Sequence, residues 1–162
     1  MISIKQAFEE KGNKCLISIE EIRKDILFSD SSIIEKIDAV SVCDVTLERV
    51  EGYGIVSIAM LNSISEAIAS FLFLNPNVIL YYYCDEKDVK RRDSEVLPQE
   101  YRSNLFSAMF ARRMERIGST DITDYPIMAE SVNGPIYIHI IAWNKHAFIV
   151  EQIKDMILDQ SK

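Results

Sequence analysis

Apolar and polar residues follow two different periods along the chain, and the first half mostly shows the shorter one. Residues 14–20 and 39–48 alternate with a two-residue period, and residues 55–60 form a further short apolar run. A two-residue period places apolar side chains on one face of a strand, so these three segments are predicted to be strands. The segment Glu51-Gly-Tyr-Gly54 lies between the last two, and its glycines favour a hairpin turn.

A helix and a central strand are predicted to follow. Apolar residues recur at helical spacing after Ser63 and Glu66, which have the spacing of a capping box. The predicted buried stripe is Ile64, Ala67, Ile68, Phe71 and Leu72. Residues 78–83 are apolar throughout, which is typical of a strand buried on both faces. This strand–helix–strand unit predicts that residues 55–60 and 78–83 run parallel.

The residue pattern in the remaining part of the chain predicts a helix, a hairpin and a final helix. Pro98 suits the first turn of a helix and Gly118 suits its end, while Asn133-Gly134 favours a hairpin between residues 125–132 and 135–142. Asn144 is predicted to cap the last helix. The predicted buried stripes are Leu105, Phe106, Met109, Phe110 and Ile117 in the first helix, and Phe148, Ile149, Ile153, Met156 and Ile157 in the second.

These elements predict one α+β domain, with a single mixed β-sheet covered by helices in the order β-ββ-α-β-α-ββ-α. The 162 residues are 48% hydrophobic and 27% charged, which is typical of a soluble globular protein. The first ten residues do not resemble a secretory signal, and no apolar run approaches the roughly 20 residues of a membrane helix. Three cysteines without a Cys-x-x-Cys pair favour a reducing compartment, so the predicted location is the cytoplasm.

The formal net charge is −7, which argues against a nucleic-acid-binding protein. Nucleic-acid binding needs a basic face, because lysines and arginines must replace the counterions of the phosphates. An acidic surface is compatible with a basic protein partner, whose encounter it would accelerate, and it also favours solubility.

The predicted central strand ends at Cys84-Asp85 and opens into a densely charged segment, residues 85–95. Asp85 and Asp88 could hold a divalent cation, since hard cations prefer carboxylate oxygens, while Arg91, Arg92 and Arg102 could clamp a carboxylate or phosphate. The alternative is a solvated loop without a ligand. Trp143, at the end of the last hairpin, could anchor a partner or fasten the hairpin to the final helix.

Catalytic chemistry has little support in the sequence. There is no phosphate-binding glycine loop of the Walker or dinucleotide type and no nucleophile elbow. His139 could act as a general base and Cys84 as a nucleophile, but a structural or surface histidine and a small buried thiol are the preferred interpretations. The sequence therefore predicts no catalytic residue, no metal and no cofactor.

The segments Tyr83–Asp85 and Tyr101–Phe106 resemble an uncharacterised bacterial family, the domain of unknown function numbered 6169. The resemblance covers roughly residues 55–162. It includes a Tyr-x-Cys-Asp strand end, an acidic and polar loop, and a helix that begins Tyr-Arg-x-x-Leu-Phe. The chain departs from the family in its longer loop and in Met109, which stands where a tryptophan is expected. The resemblance implies the order of the later elements and no particular activity.

The order of the later elements also resembles acyl-CoA N-acetyltransferases. Those enzymes hold the pyrophosphate of CoA with an Arg/Gln-x-x-Gly-x-Gly/Ala loop before the first of these helices. With that helix predicted from residue 62, the corresponding segment is residues 59–65, which contains neither glycine nor arginine. The resemblance therefore implies a related topology without the cofactor loop.

The leading functional hypothesis is a non-enzymatic module that binds another protein, such as an immunity-type or accessory factor in bacterial defence or competition. The candidate contact residues are Asp85, Asp88, Arg91, Arg92, Arg102 and Trp143. The alternative is an acetyltransferase-like enzyme or a degenerate relative of one. Homodimerisation through a sheet edge or the last helix is a third possibility, and neither a nucleic acid nor a membrane is expected as a partner.

Overall fold

The computed structural model describes residues 1–27, 35, 37–52, 57–87 and 91–160 of the chain. Within these residues the strands are β1 (Ser3–Glu10), β2 (Asn13–Glu21), β3 (Ser41–Glu51), β4 (Val78–Cys84), β5 (Ile122–Ser131) and β6 (Gly134–Trp143). The helices are α1 (Lys24–Leu27), α2 (Ile58–Leu74), α3 (Pro98–Ile117) and α4 (Ala147–Gln160), with a 3-10 turn at Asn144–His146.

The six strands form one mixed sheet in the order β1-β2-β3-β4-β6-β5, which confirms the predicted α+β class. Neighbouring strands are antiparallel except β3 and β4, which are parallel. As predicted, β4 is central and almost continuously buried. The predicted β5–β6 hairpin is also present, with Gly134 at φ 106°, a left-handed value that glycine tolerates.

The parallel pair differs from the prediction in its first strand. The predicted strand at residues 55–60 is wrong at its carboxyl end, because residues 58–60 form the first turn of α2, while residues 53–56 lie outside the described part of the chain. The strand parallel to β4 is β3, paired from Ser41 with Val78 to Val45 with Tyr82. The helix is capped by Ser57, whose Oγ accepts the N–H of Met60 at 3.1 Å, and not by Ser63.

Helices cover both faces of the sheet. α2 and α3 pack on one face, over a core that includes Ile17, Leu80 and Tyr82. α4 packs on the other face through Val150 and Ile153, over Ile79 and Ile140. Side chains alternate between the two faces of a strand, which explains why Leu80 and Ile79 belong to different cores.

One strand, two side chains and one helix cap differ from the prediction. β1 was not predicted, because most of its residues are exposed and leave a weak alternating pattern. Ile117 and Phe148, predicted to be buried, are 44% and 65% exposed, since Met114 and Val150 occupy the core-facing positions. Asn144 does not cap α4; its side chain accepts from Thr123 Oγ1 at 2.5 Å and donates to the Thr120 carbonyl at 2.7 Å.

Candidate functional site

The strands β3 and β4 separate at their carboxyl ends. Their parallel pairing stops at Val45 and Tyr82, after which β3 continues to Glu51 against β2 and β4 continues to Cys84 against β6. Ligands in open α/β sheets commonly bind in the crevice outside the carboxyl ends of the strands. The fold therefore places a potential ligand site beyond Val45 and Tyr82.

A cavity of about 480 Å³ lies elsewhere, beside β1, but a second cavity of about 390 Å³ lies between the first turns of α2 and α3 and the segment that precedes α3. Both α2 and α3 begin there, because each follows the carboxyl end of its strand. The second cavity, called the β3–β4 crevice below, is lined by Ile58, Leu61, Arg92, Asp93, Val96, Tyr101, Asn104 and Leu105. Its volume falls in the range of about 300–1,000 Å³ that is usual for small-molecule sites.

The walls of the crevice are mainly apolar, with a few polar groups at its mouth. Arg92 is exposed and can present its guanidinium to an anion. Asp93 is partly engaged, because its Oδ1 accepts the N–H of Glu95 at 3.0 Å. An apolar pocket with a cation at the rim suits a ligand that has an apolar arm and an anionic end.

The loop after β4 is held by two other arginines. Arg102 Nη1 donates to the carbonyls of Asp85 at 2.8 Å and Lys87 at 2.5 Å, and lies 3.4 Å from the carboxylate of Asp85. Arg91 donates to the carbonyls of Val96 at 2.6 Å and Ser94 at 3.2 Å. Arg91 and Arg102 therefore position the loop, whereas Arg92 lines the cavity.

The other candidate contact residues lie apart from this loop or outside the described chain. Asp88 falls among the residues that the structure does not describe. Trp143 donates from Nε1 to the carbonyl of Leu72 at 2.9 Å, and its ring meets Phe73 edge-on at 5.3 Å. Trp143 therefore fastens β6 to the last turn of α2, whereas the crevice lies at the first turn of that helix. The described part of the chain contains no group of three or more potential metal ligands.

A buried chain of hydrogen bonds joins Ser103, His139 and Asp124, and the sequence interpretation did not connect these residues. His139 Nε2 lies 2.8 Å from Ser103 Oγ, and Nδ1 lies 2.7 Å from Asp124 Oδ1. An ionised carboxylate can only accept, so Nδ1 donates, and in the neutral imidazole Nε2 then accepts the serine hydroxyl. Ser107 donates to the other carboxylate oxygen at 3.2 Å. The order serine–histidine–carboxylate is the one that activates serine nucleophiles.

The surroundings of the hydrogen-bonded side chains Ser103, His139 and Asp124 favour a structural role for them. His139 is fully buried and Ser103 is 6% exposed. Ser103 lies inside α3, where backbone N–H groups are already bonded to carbonyls four residues back and cannot stabilise an oxyanion. The sequence feature that could have revealed these hydrogen bonds is the pair of polar residues on the buried stripe of α3, Gln99 and Ser103. A buried polar side chain needs a hydrogen-bond partner.

Cys84 and the tyrosines of β4 do not supply a reactive group either. Burial raises the pKa of the Cys84 thiol to about 12, so the nucleophilic thiolate is scarce at neutral pH. Burial likewise raises the pKa of Tyr82, whose ring packs 4.8 Å from that of Phe106. Tyr83, at 40% exposure, is the tyrosine of β4 that meets solvent.

No protein-family model matches the chain, and no curated protein or solved structure matches it either. The resemblance to the domain of unknown function numbered 6169 therefore stays a prediction. Among the described helices, none has the length and apolar character that crossing a membrane requires.

Proposed function

We propose that the protein binds an acyl-CoA or a related acyl thioester of a phosphorylated carrier in the β3–β4 crevice. The observation that carries this proposal is the apolar cavity between the first turns of α2 and α3, the helices that follow the two parallel strands, with Arg92 at its rim. The acyl and pantetheine parts of such a ligand are slender and uncharged, whereas its distal part carries phosphates. An apolar cavity of about 390 Å³ suits the former, and Arg92 suits the latter.

The sequence between β3 and α2 supports the same ligand. The residues Arg49-Val-Glu-Gly52-Tyr-Gly54 begin in β3 and precede α2 in the chain, and they have the Arg-x-x-Gly-x-Gly spacing of the acetyltransferase cofactor loop. Residues 59–65, the segment that the sequence comparison placed at the cofactor loop, lie inside α2 and form no loop. Gly52 has φ 100°, and a Cβ there would collide with Asn13, so this position requires glycine.

One acidic residue opposes phosphate binding at this edge. The carboxylate of Glu10 accepts the hydroxyl of Ser57, the residue that caps α2. Glu10 therefore occupies the positive end of the helix dipole, where an incoming phosphate would otherwise bind. The ligand's affinity depends on how far Glu10 can be displaced or its charge neutralised.

The proposal is for binding and includes no acyl transfer. A transferase needs a group that removes a proton from the acceptor or carries the acyl group itself. The thiol of Cys84 is protonated and buried, and His139 is enclosed by Ser103 and Asp124. Retained binding without a nearby base fits a degenerate relative of the acetyltransferases.

Titration calorimetry with acetyl-CoA tests the proposal. We expect saturable binding in the micromolar range, with Arg92→Glu weakening it at least about tenfold, because a lost charge-assisted contact costs about 1.5–3 kcal/mol. Glu10→Gln should strengthen binding, since it removes the competing carboxylate. Arg116→Glu is the matched control, because Arg116 is exposed on the last turn of α3, away from the crevice.

Two outcomes would overturn the proposal. One is the lack of any heat of binding up to about 1 mM acetyl-CoA, which corresponds to less than about 4 kcal/mol of binding free energy. The other is an equal loss for Arg92→Glu and Arg116→Glu, which would show a general charge effect and no contact at the crevice.

A second candidate function is the binding of a basic protein, as in an immunity-type or accessory factor. The observation that favours it is the net charge of −7, which attracts and orients a cationic partner. The charged loop after β4, including Asp85 and Arg92, remains its proposed contact surface.

The product of a neighbouring toxin-like gene is the appropriate probe for this second function. We expect a complex by size-exclusion chromatography whose association slows steeply between about 0.05 and 0.5 M salt, because screening removes electrostatic steering. Reversing an exposed acid of this loop, as in Glu86→Lys, should weaken the complex, and unchanged affinity would exclude the loop as the contact. A neighbouring metabolic operon with no basic product would count against this function.

A further inference from the structure

The strand β1 forms an edge of the sheet that carries few protective features. It pairs with β2 and, within the described residues, has no strand on its other side. Residues 3–7 are all exposed. Such an edge presents a row of N–H and C=O groups to which another strand can add.

The opposite edge of the sheet is protected. There β5 carries Pro126, which is exposed and lacks the N–H that an added strand would need. β1 contains no proline and has Lys5 as its one lysine. Natural edge strands commonly use proline to prevent pairing, so the presence of a proline in β5 and its absence from β1 identify β1 as the edge open to a partner.

A groove of about 480 Å³ runs beside β1 on the face that carries α2, and its walls combine apolar side chains with polar ones such as Gln6 and Glu66. Ile4 and Phe8 from β1 line it, together with Ile17 of β2 and Phe71 of α2. Ile4 lies on the face of β1 that is turned toward α2, yet its side chain is 42% exposed. A strand added at the edge would cover Ile4 and extend the floor of this groove.

The side chains of β1 are complementary to a second copy of β1. In an antiparallel pair centred on Ala7, Lys5 of each copy lies opposite Glu9 of the other, and the small Ala7 meets its own equivalent on the two-fold axis. On the α2 face the two Phe8 rings become diagonal neighbours. Opposite charges directly across two strands stabilise the pair, and here they occur twice.

We propose that the protein forms a homodimer in which two β1 strands pair antiparallel about Ala7, joining two six-stranded sheets into one. The occupant of the open edge is a second copy because the strand's own charges are self-complementary in this register. The inference does not need the proposed ligand, since the strand pairing is centred on Ala7 and only the last residue of β1, Glu10, reaches the first turn of α2. It is an isologous interface, in which the same surface of each copy is used.

Charge exchange tests the pairing. We expect sedimentation equilibrium to show a dimer at about 100 µM. Lys5→Glu should raise the dissociation constant of the dimer at least about tenfold, because it places like charges opposite each other. Combining Lys5→Glu with Glu9→Lys should restore the wild-type dissociation constant. In wild type Glu9 also lies 3.5 Å from Lys14, an exposed pair that contributes little to folding. A monomer at about 1 mM, or a double variant as weak as the single one, would overturn the proposal.

A cysteine on the axis tests the register. Directly opposed residues in antiparallel strands have Cα atoms about 4.5–5.5 Å apart, which suits a disulfide. Ala7→Cys should therefore give a cross-linked dimer on mild oxidation, whereas Gln6→Cys, opposite Phe8 of the second copy, should not. The three native thiols are buried and do not interfere. Cross-linking through Gln6→Cys alone would contradict the proposed register.

Discussion

Replacing His139 with alanine should lower the free energy of unfolding by about 4 kcal/mol, because a buried ring and two hydrogen bonds are lost together. The ring is fully buried, with its centroid 4.9 Å from that of Phe106. Without it, the carboxylate of Asp124 loses its 2.7 Å donor and Ser103 loses its 2.8 Å acceptor. For a chain of this size the melting temperature should fall by roughly 10 °C.

His146 provides the matched control for this prediction. It is 8% exposed, and Nε2 donates to the carbonyl of Pro76 at 2.9 Å. His146→Ala removes a ring of the same size but strands no carboxylate, so a loss of about 1–2 kcal/mol is expected. Urea unfolding followed by circular dichroism measures both. Equal losses for the two variants would contradict a special contribution from the Ser103–His139–Asp124 chain.

The coupling within the chain can be separated from the loss of packing. Ser103→Ala removes one hydroxyl and should cost about 1 kcal/mol in the wild-type background. In the His139→Ala background the same change should cost much less, because the hydroxyl has already lost its acceptor. Additive effects in this double-mutant cycle would show that the 2.8 Å contact contributes nothing to stability.

The sequence predicted the fold class and most of the later elements for clear physical reasons. The apolar run of β4, proline at the start of α3 and glycine at its end each act locally, and each was placed correctly. The segment at residues 55–60 misled because Ile58 and Met60 fit a strand as well as a helix. The capping hydrogen bond from Met60 to Ser57 decides between them, and it is visible only in three dimensions.

The candidate site was only partly predictable. The charged loop after β4 drew attention to the segment that lines the crevice, but the sequence could not separate Arg92, which lines the crevice, from Arg91 and Arg102, which hold the loop. Their roles depend on carbonyls brought near by folding. The Ser103–His139 contact spans 36 residues and joins a helix to a strand, so no local spacing could reveal it.

Raising the pH from 9 to 12 should unfold the protein, because several groups are protonated in the fold and ionised in the unfolded chain. Burial raises the pKa of Cys43 and Cys84 from 9.0 to about 12, with Glu21 adding to the effect at Cys43. Burial, with a contribution from Asp44, raises the pKa of Tyr81 from 10.0 to about 12. The folded state therefore binds more protons than the unfolded state in this range, and stability falls as pH rises.

The size of this effect follows from linkage. A pKa difference between 9.0 and about 12 is worth roughly 4 kcal/mol per thiol at pH 12, so the two thiols together approach the usual total stability of about 5–15 kcal/mol. Stability should be unaffected by these groups below pH 9 and should decline steeply above it. Circular dichroism and absorbance at 295 nm should change together, because Tyr81 ionises as the core opens.

The double variant Cys43→Ala/Cys84→Ala isolates the contribution of the two thiols. It should be less stable at pH 7, because two buried sulfur atoms are lost, but its stability should fall more slowly between pH 9 and 12. The slope of the unfolding free energy against pH is therefore the decisive quantity, and the stability at a single pH is not. Cys15→Ala is the control, since Cys15 is less deeply buried, at 7% exposure, and the attraction of Arg49 offsets part of the burial effect on its pKa. An unchanged slope in the double variant would exclude thiol ionisation as a cause of alkaline unfolding and would assign that unfolding to the tyrosines.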